Sequence, residues 1–327
     1  VTAATTIKEN VMLADIATHT HNVAARVVDV FGDGDTISDA EIFGFDYWPM
    51  ELFKLKNKPA PAQLDGHIII VTGAGSGIGR GVALELGKRG AHVVLADIEE
   101  KGLLEVEKDF AENKCNPPLL VLGDQSKEAD VQATVTKTIK HFGGLDGAVI
   151  NAGIGISDKL EDLDVEKWRR GLDINLSSAF MLTKEAMKVM RKQKMGGSIV
   201  YIASKNAFAP GAGFGGYSVS KAGMLQLMRI AALEGGNAGI RFNGINPDAV
   251  FDNSKLWEGG IREQRAAAHG VKPEELEDFY ASRNLLNARV RSLDVARAAA
   301  FFLSDESSRT TGSVIAVDGG VAAAFPR

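Results

Sequence analysis

The chain of 327 residues has a single cysteine, Cys115, so no internal disulfide can form, and that scarcity suits a reducing cytosol. No stretch approaches the roughly 18 uninterrupted apolar residues of a membrane span. No run of Lys and Arg forms a stripe, and the net charge is −5, so a nucleic-acid or anionic-membrane partner is not expected. The opening Val1-Thr2-Ala3-Ala4-Thr5-Thr6 lacks the basic-then-apolar plan of a signal peptide. A first residue other than Met points to a processed or trimmed chain. Wholesale disorder is excluded by 45% apolar against 24% charged residues. The expectation is a soluble, cytoplasmic, mixed α/β protein with room for two domains, or for one large domain and an appendage.

Proline is sparse, 9 residues against 36 Gly, and two prolines, Pro59 and Pro61, fall among lysines between 54 and 63. That stretch reads as a linker and sets a boundary near residue 62. Before it, Val11, Ile16, Val23 and Val27 have helical spacing over residues 7–30. A Gly/Asp turn at 32–35 and an aromatic stretch at 43–49 follow. Beyond the linker, short apolar runs at 67–72, 91–96, 119–122, 145–150, 198–203, 240–245 and 313–317 alternate with longer polar-periodic segments. Their continuous apolar character predicts strands covered on both faces. The alternation predicts a doubly wound α/β fold with a seven-stranded parallel sheet and right-handed crossovers.

After the first run comes Thr72-Gly73-Ala74-Gly75-Ser76-Gly77-Ile78-Gly79, then a helix-like segment from Arg80 to Arg89. Glycine allows the tight turn and a close approach by a pyrophosphate, and the helix N-terminus supplies free N–H groups. An ordinary strand–helix turn would share the composition, but the βαβ context favours a dinucleotide site. Asp97 closes the second run, 18 residues after Gly79. A carboxylate there accepts both adenosine ribose hydroxyls and repels a 2′-phosphate, and no Arg or Lys stands between Gly73 and Gly79. NAD is therefore expected over NADP, with a plain strand-end cap as the alternative role for Asp97.

Tyr217-Ser218-Val219-Ser220-Lys221 places a phenol and an ammonium at i and i+4, on one face of a helix. A phenol ionises near ~10, too high for a base at neutral pH, and a fixed cation lowers that value. Such a pair alone is commonly a surface feature. Ser204 ends the fifth run 13 residues earlier, where its hydroxyl can bond a substrate oxygen beside Tyr217. Asn151-Ala152-Gly153 closes the fourth run, and Asn175 lies in the next helix.

Over residues 64–320 these motifs, in order and spacing, resemble the short-chain dehydrogenase/reductase superfamily. The resemblance implies a Rossmann-type fold and NAD as cofactor. Tyr217 would exchange the substrate proton, and Lys221 would lower its pKa and hold the nicotinamide ribose. Ser204 would polarise the carbonyl, and Asn175 would anchor a water relaying protons through Lys221. The cofactor would be bound by Gly73, Ser76, Gly77, Ile78 and Gly79, by Asp97, Asp124 at the adenine, Asn151 and Gly153, and by Tyr217, Lys221, Pro247 and Val250. The superfamily implies a homodimer or homotetramer, with the helices around Asn175 and Tyr217 between subunits. One departure is Asn246-Pro247-Asp248-Ala249-Val250, where Pro-Gly is usual; Asp248 adds a side chain where the nicotinamide amide should lie.

That departure, Trp257, residues 262–270, Val317-Asp318-Gly319-Gly320-Val321 and Asp46-Tyr47-Trp48-Pro49-Met50-Glu51 resemble the dehydrogenase half of bifunctional aldolase/short-chain dehydrogenases, linked with rhamnose catabolism. By that resemblance the substrate is lactaldehyde-like, and residues 1–60 are the tail of an aldolase domain, ahead of a dehydrogenase domain at 61–327. No aldolase activity is expected from so short a segment, though it could dock an aldolase partner. A polyol or sugar-alcohol dehydrogenase is the alternative, and a non-catalytic NAD-binding assembly module is an alternative of another class.

Residues 251–291 form a polar, helical-textured insertion, expected as a lid over the substrate, with a surface excursion as the alternative. Trp257, Arg262 and Arg265 are candidate pocket residues. No metal is expected. His19 and His21 are two apart on a helix and point to nearly opposite sides. The calcium-loop echo at 31–41 lacks the glycine its turn needs. Cys115, far in sequence from Tyr217, is expected to pack.

Overall fold

The structure is a computed structural model that describes residues 14–19, 21–22 and 60–325. The chain divides into two units, Val1–Gly66 and His67–Arg327. In the first, residues 14–19 and 21–22 are helical and exposed, within the span predicted as a helix. The rest of that span, the Gly/Asp turn, the calcium-loop echo and the aromatic stretch lie outside the described residues. Among the described residues no cluster of His, Cys, Asp and Glu could hold a metal ion. Nor is any helix there long and apolar enough to cross a membrane.

The second unit alternates strand and helix. Its first half runs β1 (Ile68–Thr72), α1 (Gly77–Lys88), β2 (His92–Asp97), α2 (Glu100–Glu112), β3 (Leu119–Leu122), α3 (Glu128–Phe142) and β4 (Gly147–Ile150). The second half runs α4 (Val165–Leu172), α5 (Ser178–Gln193), β5 (Gly197–Ile202), α6 (Gly215–Gly235) and β6 (Ile240–Pro247). It closes with α7 (Ile261–His269), α8 (Leu276–Ser282), α9 (Ser292–Leu303) and β7 (Val314–Val317). The seven strands form one sheet in the order β3-β2-β1-β4-β5-β6-β7, and every pairing is parallel. A parallel sheet needs cover on both faces. Accordingly every residue of β1 and β4 is buried, while the edge strands β3 and β7 are only partly so.

All seven apolar runs are strands; the third coincides with β3, and the other six differ from their strands at one or both ends. The fourth starts at Gly147 rather than 145 because the Gln193 side chain satisfies the Leu145 backbone. Its amide oxygen accepts the Leu145 N–H at 2.8 Å and its amide nitrogen donates to the Leu145 carbonyl at 2.9 Å. The sixth runs on to Pro247, paired with Val317 of β7. Strand order reverses between β1 and β4, and the carboxyl ends around that switch carry the crevice where α/β sheets bind ligands.

The insertion after β6 is built from a short turn at Lys255–Trp257, then α7 and α8. It carries a small core of its own, with Ala266, Leu276 and Tyr280 buried and Phe251 stacked on Trp257 at 4.1 Å.

Candidate active site

The β1 and β4 termini are latched together by side chains. Thr72 Oγ1 accepts the N–H groups of Asn151 and Ala152 at 3.0 and 3.1 Å, and Asn151 Nδ2 donates to the carbonyls of Thr72 and Gly73 at 2.9 and 3.2 Å. The glycine loop turns inside this latch. Gly73 has a φ of +62°, and a Cβ on Gly79 would fall 1.9 Å from the Gly73 carbonyl oxygen. Glycine at these two positions is thus a packing requirement of the loop, and it leaves the backbone bare on the crevice side.

Asp97, at the end of β2, accepts the Gly75 N–H at 2.8 Å and the Glu99 N–H at 3.0 Å. It fixes the loop and still faces the cleft. Arg80, the first cation after the loop, is held by Asp109 at 2.7 and 3.1 Å and by Glu105 at 3.3 Å. It is therefore committed to α2. At the adenosine end Asp124 accepts from the Ser126 N–H and hydroxyl, and those bonds hold its carboxyl below the usual range.

The catalytic candidates converge on the other end of the same cleft. Tyr217 and Lys221 share the buried face of α6, with the Lys221 nitrogen 5.7 Å from the Tyr217 ring centre. Ser204 follows β5 and its hydroxyl accepts the Asn206 N–H at 3.2 Å. Burial pushes the Tyr217 phenol up to about 12, the Ser204 hydroxyl pulls it down, and the Asp248 carboxylate raises it. Burial likewise lowers the Lys221 ammonium to about 8, and it donates to the Ile202 carbonyl at 2.9 Å.

Asn175 is fully buried in a π-helical turn, Asp173–Ser177. Its side chain accepts the Ile154 N–H at 2.8 Å and donates to the Ile154 carbonyl at 3.0 Å and to Ser220 Oγ at 3.1 Å. Irregular turns of this kind recur at functional sites. Gly153 fits beneath it, since a Cβ there would meet Asn175 Oδ1 at 3.1 Å and Lys221 Nζ at 3.5 Å.

One cleft of about 680 Å³ joins the two ends. Gly73, Ser76, Gly77, Ile78, Asp97, Asp124, Asn151, Gly153, Ser204, Tyr217, Lys221, Pro247 and Val250 all line it. Gly79 and Asn175 do not, and act from behind the wall. The insertion lines the cleft through Ser254, Trp257, Ile261 and Arg265. Arg262 is the exception: it lies on a separate cavity and donates to the Pro273 carbonyl at 2.8 Å. Cys115 is half-buried, its thiol pushed up by burial, and is absent from the cleft wall.

Two observations fit a dinucleotide. Ser76 is the N-cap of α1, yet its hydroxyl makes no capping bond. Gln125 Oε1 is buried against the cleft without a hydrogen-bond partner, an acceptor suited to an amino group such as adenine's. Sequence reasoning passed over Gln125, Thr72 and Lys205, the last sitting beside Ser204 in the wall. It also passed over a strap from the insertion: the Asn253 carbonyl accepts the Gly77 N–H at 2.7 Å. Only tertiary folding brings residues 77 and 253 together.

A doubly wound parallel sheet with a glycine loop at its switch point and a Ser/Tyr/Lys cluster across the crevice defines a Rossmann-type oxidoreductase. Residues 73–322 match the family model described as Enoyl-(Acyl carrier protein) reductase. The chain belongs to the short-chain dehydrogenase/reductase superfamily. It is 36% identical over 294 residues to the uncharacterized oxidoreductase YuxG of Bacillus subtilis, covering 89% of this chain and 42% of that protein. The chain thus spans less than half the length of that relative. It is 29% identical to glucose 1-dehydrogenase 2 of Bacillus subtilis, over 79% of this chain and 96% of that protein. A crystal structure of levodione reductase superposes with a TM-score of 0.74 at 30% identity, over 80% of this chain and all of that one.

Proposed function

We propose that the protein is an NAD-dependent oxidoreductase acting on a small polar hydroxy or carbonyl compound, lactaldehyde-like in kind. The observation that carries this reading is the meeting of Ser204, Tyr217 and Lys221 at one end of a cleft whose other end is the glycine loop and Asp97. The dinucleotide, when bound, supplies the hydride acceptor or donor. Gly77, Ser76 and Ile78 would hold its pyrophosphate and Asp97 its adenosine ribose, with Asp124 and Gln125 at the adenine. Asn151, Gly153, Pro247 and Val250 would line the remainder.

Ser204 orients the substrate oxygen toward the Tyr217 phenol. In oxidation the phenolate takes the substrate hydroxyl proton; in reduction the phenol returns it. Lys221 stands behind Tyr217 and would bind the nicotinamide ribose. Asn175, through Ile154 and Ser220, keeps both sides of the site in register.

NAD is favoured over NADP because the Asp97 carboxylate would repel a 2′-phosphate and Arg80 is tied to α2. A polyol or sugar-alcohol substrate is the second reading, supported by the likeness to a glucose 1-dehydrogenase. Residues 1–60 would be the tail of an aldolase domain. The YuxG match extends into them, since residues 61–327 make up less than the matched share of the chain, and most of YuxG lies outside the match. The oligomer would use the outer faces of α5 and α6, where Phe180, Val219, Ile230 and Leu233 are exposed.

The test is NADH formation at 340 nm with L-lactaldehyde, 1,2-propanediol and small polyols, comparing wild type with Tyr217→Phe and NAD with NADP. The expected result is an NAD-selective rate that Tyr217→Phe lowers by ~10²- to 10⁴-fold. Equal rates in the two proteins would sink the reading. The same assay and a sizing column, applied to a chain lacking residues 1–60, separate catalysis from docking.

A further inference from the structure

The cleft wall around Ser204 and Tyr217 carries charges the proton chemistry leaves unused. Asp248 follows β6 and Lys205 follows Ser204, and each is only 8% exposed. Both line the same cleft as the reactive pair. Among the described residues the Asp248 carboxylate has no hydrogen bond and no ion pair. Its backbone N–H alone is engaged, with the Val317 carbonyl at 3.4 Å. Lys205 Nζ reaches one acceptor, the Ala209 carbonyl, at a long 3.4 Å. The two charges act on one another with no hydrogen bond or ion pair between them, and Asp248 also acts on Tyr217.

Arg265 supports this wall from the lid. It too is 8% exposed, and it bonds to neutral groups: Ala212 carbonyl at 3.2 Å, His269 Nε2 at 3.0 Å and the Tyr280 hydroxyl at 3.5 Å. Arg265 is thus fixed as framework, and Asp248 and Lys205 are the pair with bonding capacity left. A buried charge deprived of partners is expensive. With the lid segment overhead, a ligand that expels water from this wall must offer a donor to the carboxylate and an acceptor to the ammonium. A hydroxyl offers both; an alkyl group offers neither.

We propose that Asp248 and Lys205 form a subsite for a second hydroxyl, on the carbon next to the reacting one, so that the substrate is a short vicinal polyol or the matching 2-hydroxy carbonyl compound. This deepens the oxidoreductase reading and rests on it. Asp248 accepts the hydrogen bond of that hydroxyl, Lys205 donates to its oxygen, and Ser204 and Tyr217 hold the reacting oxygen. Sites that bond a substrate hydroxyl reject the analogue lacking it by up to ~10⁴-fold.

The decisive experiment compares 1,2-propanediol with 1-propanol in wild type, Asp248→Asn, Asp248→Leu and Lys205→Met, and measures NADH affinity by fluorescence in each. The expected wild-type preference for the diol in kcat/KM is at least ~10²-fold. Asp248→Leu should reduce that preference ~30-fold or more through KM for the diol, and the near-isosteric Asp248→Asn by less, with the NADH dissociation constant held within twofold. An unchanged preference overturns the subsite. So does a loss that tracks weakened NADH binding, which would assign Asp248 to the nicotinamide amide instead. Calorimetric titration of glycerol into the enzyme–NADH complex reads the subsite without turnover. Binding by wild type that Asp248→Leu abolishes supports it, and equal binding or none overturns it. If glycerol binds so and no alcohol is turned over, the oxidoreductase reading fails while the subsite stands.

Discussion

The carbonyl of Asn253 accepts the N–H of Gly77 at 2.7 Å, so the insertion after β6 occupies a donor of the helix end that would receive a pyrophosphate. Asp252 anchors this strap by accepting from the backbone N–H and hydroxyl of Ser292, and Lys255 adds an ion pair with Glu99. Dinucleotide entry must then displace the strap. Asp252→Ala, which cuts the Ser292 anchor, should raise the NADH association rate about tenfold or more, since a bond to a charged group is worth roughly 1.5–3 kcal/mol. Stopped-flow fluorescence reads this directly. An unchanged association rate would mean that the strap does not gate the cleft.

The Lys221 ammonium, lowered by burial to about 8, makes stability depend on pH with a definite sign. The unfolded chain binds its proton up to about 10.4, so between pH 8 and 10.4 the unfolded state holds more protons and this group's contribution to stability rises with pH. Its opposite is Tyr217, raised to about 12, whose contribution falls as pH climbs from 10 toward 12. Urea unfolding at pH 7.5 and 9.5 should therefore show a stabilising change of about 2 kcal/mol that Lys221→Met removes. Identical pH slopes in the two proteins would refute a desolvated Lys221.

Asp97 both braces the Gly75 N–H and faces the adenosine end of the cleft. Asp97→Ser should weaken NADH binding about tenfold and narrow the gap between NADH and NADPH by more than that. The narrowing follows because a 2′-phosphate no longer meets a carboxylate. Competitive titration with both nucleotides checks it. A uniform loss for NADH and NADPH would reduce Asp97 to a brace for the loop.

The seven strands were legible because a two-sided parallel sheet demands continuous apolar runs, and such runs stand out against polar helices. Their ends were less so. Gln193 bonding to Leu145 is a side-chain event 48 residues away that trims β4 by two residues. The glycine loop, Ser204, Tyr217 and Lys221 were legible because their chemistry is local in sequence. The strap at Asn253 and the unpaired Gln125 oxygen depend on distant segments meeting in space, and composition or spacing carries no trace of them. The phenol's elevation was likewise hidden, since a pattern reports the neighbouring cation and not the depth of burial. Arg262 shows the limit on helices: three residues from Arg265 on α7, it serves a different cavity.

Asn175 has a wider reach than its place behind the wall suggests. One amide ties Ile154, just past the nucleotide-facing end of β4, to Ser220, one turn from Tyr217 and beside Lys221. The amide works as a rivet between the loop after β4 and helix α6. Shortening it to Ala would loosen cofactor seating and proton exchange in one stroke. Variation at this position would be read in the assay as a poorer enzyme on every axis, with no single constant to blame.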